Sequence, residues 1–432
     1  MTPAKGFAEM KDSGIEWIGE IPKTWTITIL SALFSERKCK NSGLAENNLL
    51  SLSYGNIVRK NIESNEGLLP ASFETYNIIE PGNIVFRLTD LQNDKRSLRT
   101  GLCKERGIIT SAYVTLQIRS DDSPRYMHYL FHTYDLCKVF YGMGDGVRQG
   151  MNYEDLKRLR ILRPDQDTQR RIADYLDHKC SQINTIIARQ QQVIEKLKAY
   201  KLSVITEAVT KGLNPDVPMK DSRVEWIGEV PGNWTKVKLK NICQFINGDR
   251  SSNYPSPNEY VDNGIPFLGA DSLCGRYVDV TQSKKITKEK YHSMGGAKIQ
   301  KGDILYTLRG STIGKNAIAT FDEGTVASSL MVIRPISLIP EYLLYWINSE
   351  EEFQQRQSYI NGSTAPNLSA ENVGSFVMFL PPALEQREIA DYLDTKCAEI
   401  ELTMLKKQVL IDQLGNYKKS LIYEVVTGKK EV

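Results

Sequence analysis

Three groups of residues in this 432-residue chain have types and spacings that could do chemistry. Gly310-Ser-Thr-Ile-Gly314-Lys315-Asn316 approaches a phosphate loop, in which backbone N–H groups cradle phosphate and a Ser or Thr after the lysine holds magnesium. It has three residues between the glycines instead of four, and Asn316 stands where the hydroxyl is needed. His128 and His132 lie one helical turn apart, a spacing that suits zinc, but no Glu follows His128 to act as a base. They read as helix surface. Pro164-Asp165 followed by Asp177-His178-Lys179 imitates the carboxylates and lysine of a metal-dependent nuclease, although Asp177 falls inside a long helical pattern and a structural role fits it better. The chain has no G-x-S-x-G, no H-E-x-x-H, no glycine-rich dinucleotide fingerprint and no Asn-Pro-Pro-aromatic segment. It is expected to catalyse nothing alone and to carry no cofactor and no metal.

The elements that hold these residues are organised by a repeat. MKDSGIEWIGEIPKTWTITIL (Met10–Leu30) recurs as MKDSRVEWIGEVPGNWTKVKL (Met219–Leu239), identical at 13 of 21 positions. A second phrase, QRRIADYLDHKCSQI from Gln169, recurs as QREIADYLDTKCAEI from Gln386, at an offset of 217. Both downstream segments continue as long helical patterns. In the first, Leu176, Ile183, Leu197 and Val204 recur at sevens, interleaved with Ile186, Val193 and Tyr200; the second has Leu393, Ile400, Leu414 and Leu421 with Leu410 and Tyr417. That alternation predicts a narrow apolar seam between two helices, each about 60 Å long, with Gln190 and Lys407 as polar interruptions.

Between phrase and helix the two copies share pattern but little identity: PGNIVFRLT resembles KGDILYTLR, and PRYMHYLF resembles PEYLLYWI. Short alternating strands punctuated by Gly, Asn and Pro predict a mixed α/β (α+β) globule in each copy. The expected order is a first globule over 1–165, a long helix over 166–212, a second globule over 213–382 and a second long helix over 383–432. The connector VTKGLNPDVPMKDS resembles the chain's last and first residues cut apart, so both ends are expected to lie together.

Composition narrows the class further. The chain is 41% hydrophobic and 25% charged with a net charge of +3, ordinary for globular protein and without the strong basic bias of a small DNA-binding module. No apolar run approaches the roughly 20 residues that span a bilayer and no secretory signal is present, which predicts the cytoplasm. Seven scattered cysteines, never in Cys-x-x-Cys spacing, predict reduced and mostly buried thiols. From Gly82 to Arg163 there are fourteen Lys/Arg against nine Asp/Glu.

A constant frame around two unlike interiors suits a device that reads two different things at a fixed separation. EWIGEIPKTW, GNIVFRL, KGDILYTLRGSTIGK, GSTAPNLS and above all LPPALEQREIADYLDTKCAEIE resemble the DNA-specificity subunits of type I restriction-modification systems, over essentially the whole chain and in both copies. One departure is LRPDQDTQRRI in the first copy where the second has LPPALEQREI, which bears on contacts at that helix start. The resemblance implies two target-recognition domains separated by two antiparallel coiled-coil helices with internal pseudo-twofold symmetry. It also implies double-stranded DNA and two modification subunits as partners, with restriction subunits joining them; S-adenosylmethionine, ATP and Mg would belong to those partners. A coiled-coil scaffold with two protein-binding globules that ignores DNA is the alternative reading.

Phosphates call for Lys and Arg, and base edges for planar groups such as Arg, Asn and Gln on exposed loops. The candidates are Arg87, Lys95, Arg96, Arg99, Arg148 and Gln149 in the first globule, and Arg250, Arg309, Lys315, Asn361, Ser363 and Thr364 in the second. The turns at Arg148 and Asn361 fall at matching places. Gln169, Arg170 and Asp174, with Gln386, Arg387 and Asp391, are candidates to face the modification subunits. Trp17, Trp25, Trp226 and Trp234 stand at identical places in both halves and are expected to pack the frame.

Overall fold

The computed structural model describes residues 9–61, 72–91, 98–143, 150–249, 251, 253–360 and 367–432. Contacts divide the chain into two compact units, Met1–Gln190 with Val409–Val432, and Gln191–Gln408. Each unit therefore takes half of the first long helix (Gln166–Lys211) and half of the second (Ala383–Val426).

Both units are built on one plan. In the first, the opening phrase folds as a hairpin pairing Met10–Asp12 with Glu20–Pro22, and Thr26–Ile29 pairs with Arg160–Arg163. In the second, Met219–Asp221 pairs with Glu229–Pro231 in the same register, and Thr235–Lys238 pairs with Val377–Leu380. The central sheet of the first unit orders its antiparallel strands Phe34–Glu36, Val114–Ile118, Ile84–Phe86 and Thr100–Leu102; the second repeats that order with Cys243–Asn247, Leu330–Pro335, Ile304–Thr307 and Asn316–Ile318. A helix follows the second of these strands, the last of the four in chain order, Pro124–Leu136 in one unit and Pro340–Ile347 in the other, and packs into the core. What differs is the insertion. The first unit adds a hairpin of Leu50–Ser53 with Asn56–Arg59 and the pair Asn77–Ile79 with Gly107–Ile109, whereas the second adds the sheet of Tyr260–Val261, Lys284–Ile286, Ile265–Leu268 and Thr325–Val326.

The long helices are bound into the units by the same contacts twice over. Tyr126 donates to the carbonyl of Val426 at 3.4 Å, and Tyr342 donates to that of Val209 at 3.4 Å, with Val209 and Val426 at counterpart positions. Tyr129 donates to Asp177 and Tyr345 to Asp394, at 2.8 and 2.6 Å. Ile172, Leu176 and Ile183 share one core with Leu421, Ile422 and Val425, while Val204, Ile205 and Val209 share another with Ile389, Leu393 and Cys397. Within each unit the two helix halves run antiparallel.

The seam departs from its predicted phase at four of its thirteen positions. Leu176, Ile183 and Val204 are buried, as are Leu393, Ile400 and Leu421, but Ile186, Val193, Tyr200 and Tyr417 are exposed. The adjoining Ile187, Ile194 and Lys201 turn inward in their place, with Cys180 and Ala208. Each disputed pair sets two residues side by side, and the three-four spacing alone did not decide between them.

The chain's end closes the first unit. Tyr423 donates to the carbonyl of Trp17 at 3.1 Å, Lys429 bonds the carbonyl of Glu20, and Gly428 lies against Pro22 and Trp25. Gly212 lies likewise against Pro231 and Trp234 in the second unit. Trp25 and Trp234 are both 1% exposed and pack the frame. Trp17 meets Tyr134 edge to face at 4.6 Å, but Trp226 is 56% exposed, which corrects the expectation for that residue. At the offset that aligns Tyr126 with Tyr342, the partner ring Tyr134 is replaced by Glu350.

The seven cysteines are free, with Cys103, Cys180, Cys243 and Cys397 buried. Among the described residues no helix is long and apolar enough to cross a membrane.

Candidate nucleic-acid interface

Of the predicted reading residues, Arg87 and Arg309 stand where chain leaves a strand of the central sheets. In the first unit the strand Ile84–Phe86 runs out into Arg87–Asp90, and the chain returning from the loop before Gly150 is fastened there, Met151 donating its N–H to the carbonyl of Leu88 at 2.9 Å. Asn152 then caps the short helix Tyr153–Leu156, accepting from the N–H of Glu154 while Asp155 accepts from the N–H of Asn152. The second unit repeats the device: Leu368 donates to the carbonyl of Leu308 at 2.9 Å, Asn367 bridges Arg309, and Ser369 caps Ala370–Gly374. Two loops of unrelated sequence thus end in the same anchor. A loop pinned at its exit can vary in composition without disturbing the sheet beneath it.

Arg309 is exposed at this strand end and Arg87 is half-buried at its counterpart. Lys315 is half-buried and donates to the carbonyl of Ala270 at 2.9 Å, so its charge is tied to the fold. Arg99 does not face solvent at all. Its side chain is fully buried and donates to the carbonyls of Thr89 and Asp90 at 2.7 and 3.3 Å, with the Tyr141 ring 5.7 Å away. That is a correction: Arg99 holds the strand end in shape and cannot touch DNA. Lys95, Arg96, Arg148, Gln149, Arg250, Asn361, Ser363 and Thr364 lie outside the described residues.

Gly310–Lys315 is a hairpin turn, not a phosphate loop. Gly314 donates to the carbonyl of Thr307 at 2.9 Å, its positive φ of 86° suits glycine, and any side chain there would meet the Arg356 guanidinium at 2.7 Å. Arg356 is paired in turn with the buried carboxylate of Glu352, which also takes the Tyr306 hydroxyl. Burial raises the Glu352 pKa despite both partners.

The residues predicted to face partner subunits divide in two. Arg170, Asp174, Arg387 and Asp391 are exposed, with Asp174 accepting from Arg125 at 2.6 Å. Gln169 and Gln386 are buried and are corrected to internal fasteners. Gln169 accepts from the N–H of Ser123 at 2.8 Å and donates to Asp122 at 2.6 Å and to the carbonyl of Pro164 at 2.9 Å. Gln386 accepts from the N–H of Ile339 at 3.0 Å and donates to the carbonyl of Pro381 at 2.9 Å. Burial opposes ionisation of Asp122, but bonds from Arg163, Ser120 and Gln169 hold its carboxyl below the usual range.

The other candidate chemistry resolves into structure. Asp165 caps the first long helix, accepting from the N–H and hydroxyl of Thr168 at 2.9 and 2.7 Å, and this is the work of the Asp167-Thr168 departure at that helix start. Asp177 is engaged by Arg125 and Tyr129. The His128 and His132 rings, 6.3 Å apart, are not free helix surface: burial pushes their imidazoles down to about 4 and about 3, so both are neutral at pH 7. Among the described residues no group of three His, Cys, Asp or Glu side chains is placed to hold a metal.

Residues 231–412 match the family model for the type I restriction modification DNA specificity domain. Over 341 residues the chain is 23% identical to the type I restriction enzyme MjaVIII specificity subunit of Methanocaldococcus jannaschii, covering 76% of this chain and 75% of that one. It is 23% identical to the EcoBI specificity subunit of Escherichia coli, covering 76% and 70%. The chain is thus similar to the specificity subunits of type I restriction-modification systems over most of its length. Its fold matches the HsdS subunit from Thermoanaerobacter tengcongensis with a TM-score of 0.50 at 16% identity, over 94% of this chain and 98% of that one. A chain from a type I R-M structure concerned with complex assembly and conformational transition gives 0.68 at 15% identity, over the same shares.

Proposed function

We propose that this chain is a specificity subunit that reads a divided, asymmetric DNA sequence, one half with each unit, and holds two adenine-methylating modification subunits and the restriction subunits at that site. Its similarity to DNA-specificity subunits supports the general function. The finer reading rests on one observation: two units share frame, sheet order and loop anchor while their inserted elements are unrelated. Readers of unlike sequence on like frames suit unlike half-sites. Arg87 and Arg309, at matching strand ends, are proposed as DNA contacts, together with the loops they adjoin. S-adenosylmethionine, ATP and Mg are assigned to the partner subunits, and the exposed Arg170, Asp174, Arg387 and Asp391 to the faces those subunits meet.

The test is to map methylated adenines in the host genome with and without the gene, and then with residues 31–165 exchanged for those of a relative. The expected result is a two-part motif in which the exchange alters one half alone. Alteration of both halves, or DNA binding that does not weaken as salt rises, would count against the proposal.

A further inference from the structure

The inserted hairpin of the first unit carries an aromatic residue in a conformation that disfavours it. Leu50–Ser53 and Asn56–Arg59 pair with Ser53 opposite Asn56, which leaves Tyr54 and Gly55 as a two-residue turn. Both have positive φ, 44° and 78°. Such turns take Asn, Asp or Gly at the first position, because a Cβ crowds the backbone there, and a bulky ring is a poor choice. Tyr54 is also 78% exposed, so its ring adds nothing to the core. Among the described residues nothing compensates the strain or covers the exposed aromatic surface.

The tip is firmly seated. A side chain at Gly55 would meet Leu98 at 3.1 Å, and one at Gly101 would meet Leu52 at 2.6 Å and Ile57 at 3.0 Å, so hairpin and neighbouring strand are in close contact. Asn56 donates to the carbonyl of Tyr54 at 3.2 Å. The stretch beneath the turn, Leu98–Thr100, contains Arg99, whose guanidinium clamps the carbonyls of Thr89 and Asp90. Tyr54 therefore stands over the same few residues that shape the Arg87 strand end. Backbone strain that the surroundings over-determine is a mark of sites that meet a ligand.

We propose that Tyr54 is a DNA-contacting, specificity-determining residue of the first unit, its ring packing against bases or sugars of the half-site that unit reads. This rests on the two-part reading above and adds a residue to it. Duplex DNA is the occupant favoured by position, since Arg87 lies at the adjoining strand end and the stretch that begins just before it, Gly82 to Arg163, carries fourteen Lys/Arg against nine Asp/Glu. An aromatic at a two-residue tip is narrow enough to enter a groove and rigid enough to lose little freedom there.

Tyr54→Asn separates a ligand contact from a structural role because the two predict opposite signs. Asn accepts positive φ, so the full chain is expected to melt at the same temperature or higher. The complex with its modification subunits is expected to bind a duplex carrying the mapped site about tenfold more weakly, the scale of one lost base-level contact. On a duplex whose first half-site has been replaced by unrelated sequence, variant and wild type are expected to bind alike. A variant that discriminates the first half-site as well as wild type does would overturn the role of Tyr54 alone. So would a lowered melting temperature with equal loss on both duplexes. A wild-type complex that binds all the duplexes alike would overturn the two-part reading and the role of Tyr54 with it.

Discussion

Lys201 on the first long helix donates to Glu401 on the second at 2.5 Å, and its repeat counterpart Lys418 donates to Asn184 at 2.8 Å. Shifting Asn184 by 217 gives Glu401, and shifting Lys201 by 217 gives Lys418, so this is one contact made once in each unit. The duplication kept the lysine and the geometry but kept the opposing charge only in the second unit. Asn184→Glu is expected to restore it and to stabilise the chain by about 0.3–1 kcal/mol, the range of a half-exposed ion pair. The gain should appear in urea unfolding at low ionic strength and fade near about 1 M salt, where screening reaches a few ångströms. A gain indifferent to salt would mean that the helix pair was stabilised in some other way.

A second asymmetry lies in the opening phrase. Gly14 and Arg223 occupy the same turn with φ of 59° and 58°, and each donates its N–H to the preceding aspartate, Asp12 or Asp221, at 2.8 and 2.9 Å. Only glycine adopts that conformation without strain. Arg223→Gly is expected to raise stability by about 0.5–1 kcal/mol, the relief of strain exceeding the extra freedom given to the unfolded chain. Thermal unfolding of the two proteins side by side checks it, and a lowered midpoint would show that the Arg223 side chain contributes more than its backbone loses.

These positions also show what could be read from sequence. The repeat, the long helices, the mixed α/β globules and the junction of the chain's end with its first phrase were legible because each leaves a local or periodic trace. The exact facing of the seam was not, since Ile186-Ile187 and Val193-Ile194 offer two apolar residues side by side and packing makes the choice. Trp226 followed its twin in sequence but not in environment, because burial of Trp17 depends on Tyr134, more than a hundred residues away. Arg99 and Gln169 looked like surface polar groups for a related reason. Their partners, Thr89 and Asp90 for one and Ser123 and Asp122 for the other, come from other elements, and nothing near them in sequence announces a buried site.

Gln386 joins the start of the second long helix to the helix Pro340–Ile347 by bonding the N–H of Ile339 and the carbonyl of Pro381. Gln386→Met keeps the length of the side chain and removes both bonds, leaving a donor and an acceptor buried without partners. The expected loss is about 2–4 kcal/mol, since each orphaned group brings its own desolvation penalty. Gln169→Met is expected to cost more, because Asp122 loses a donor to its buried charge as well as the backbone groups losing theirs. Denaturant midpoints of the two variants test the order, and equal losses would show that Arg163 and Ser120 suffice for Asp122.

Glu351 gives the second unit a dependence on pH. The residue is buried, with Oε2 unpartnered among the described residues, beside a small cavity lined by Val209, Thr210, Ile227, Trp346, Met378 and Phe379. Burial, helped by the charge of Glu350, pushes its carboxyl from the usual 4.5 up to about 7. The folded state therefore holds a proton that the unfolded state releases between those values. Stability from the protonated form is fully present below pH 4.5 and is lost as pH rises through 7. Glu351→Gln cannot ionise and should lack that loss, so it is expected to be more stable than wild type at pH 8 by about 1–2 kcal/mol, the shift discounted for water and relaxation at the site. The buried histidines act in the opposite sense, favouring the fold as pH rises from about 4 toward 6.5. They are common to both proteins, so the difference between the two stability curves isolates Glu351. A difference that stays constant from pH 4 to 8 would mean that the carboxyl ionises in the folded protein as freely as it does in water.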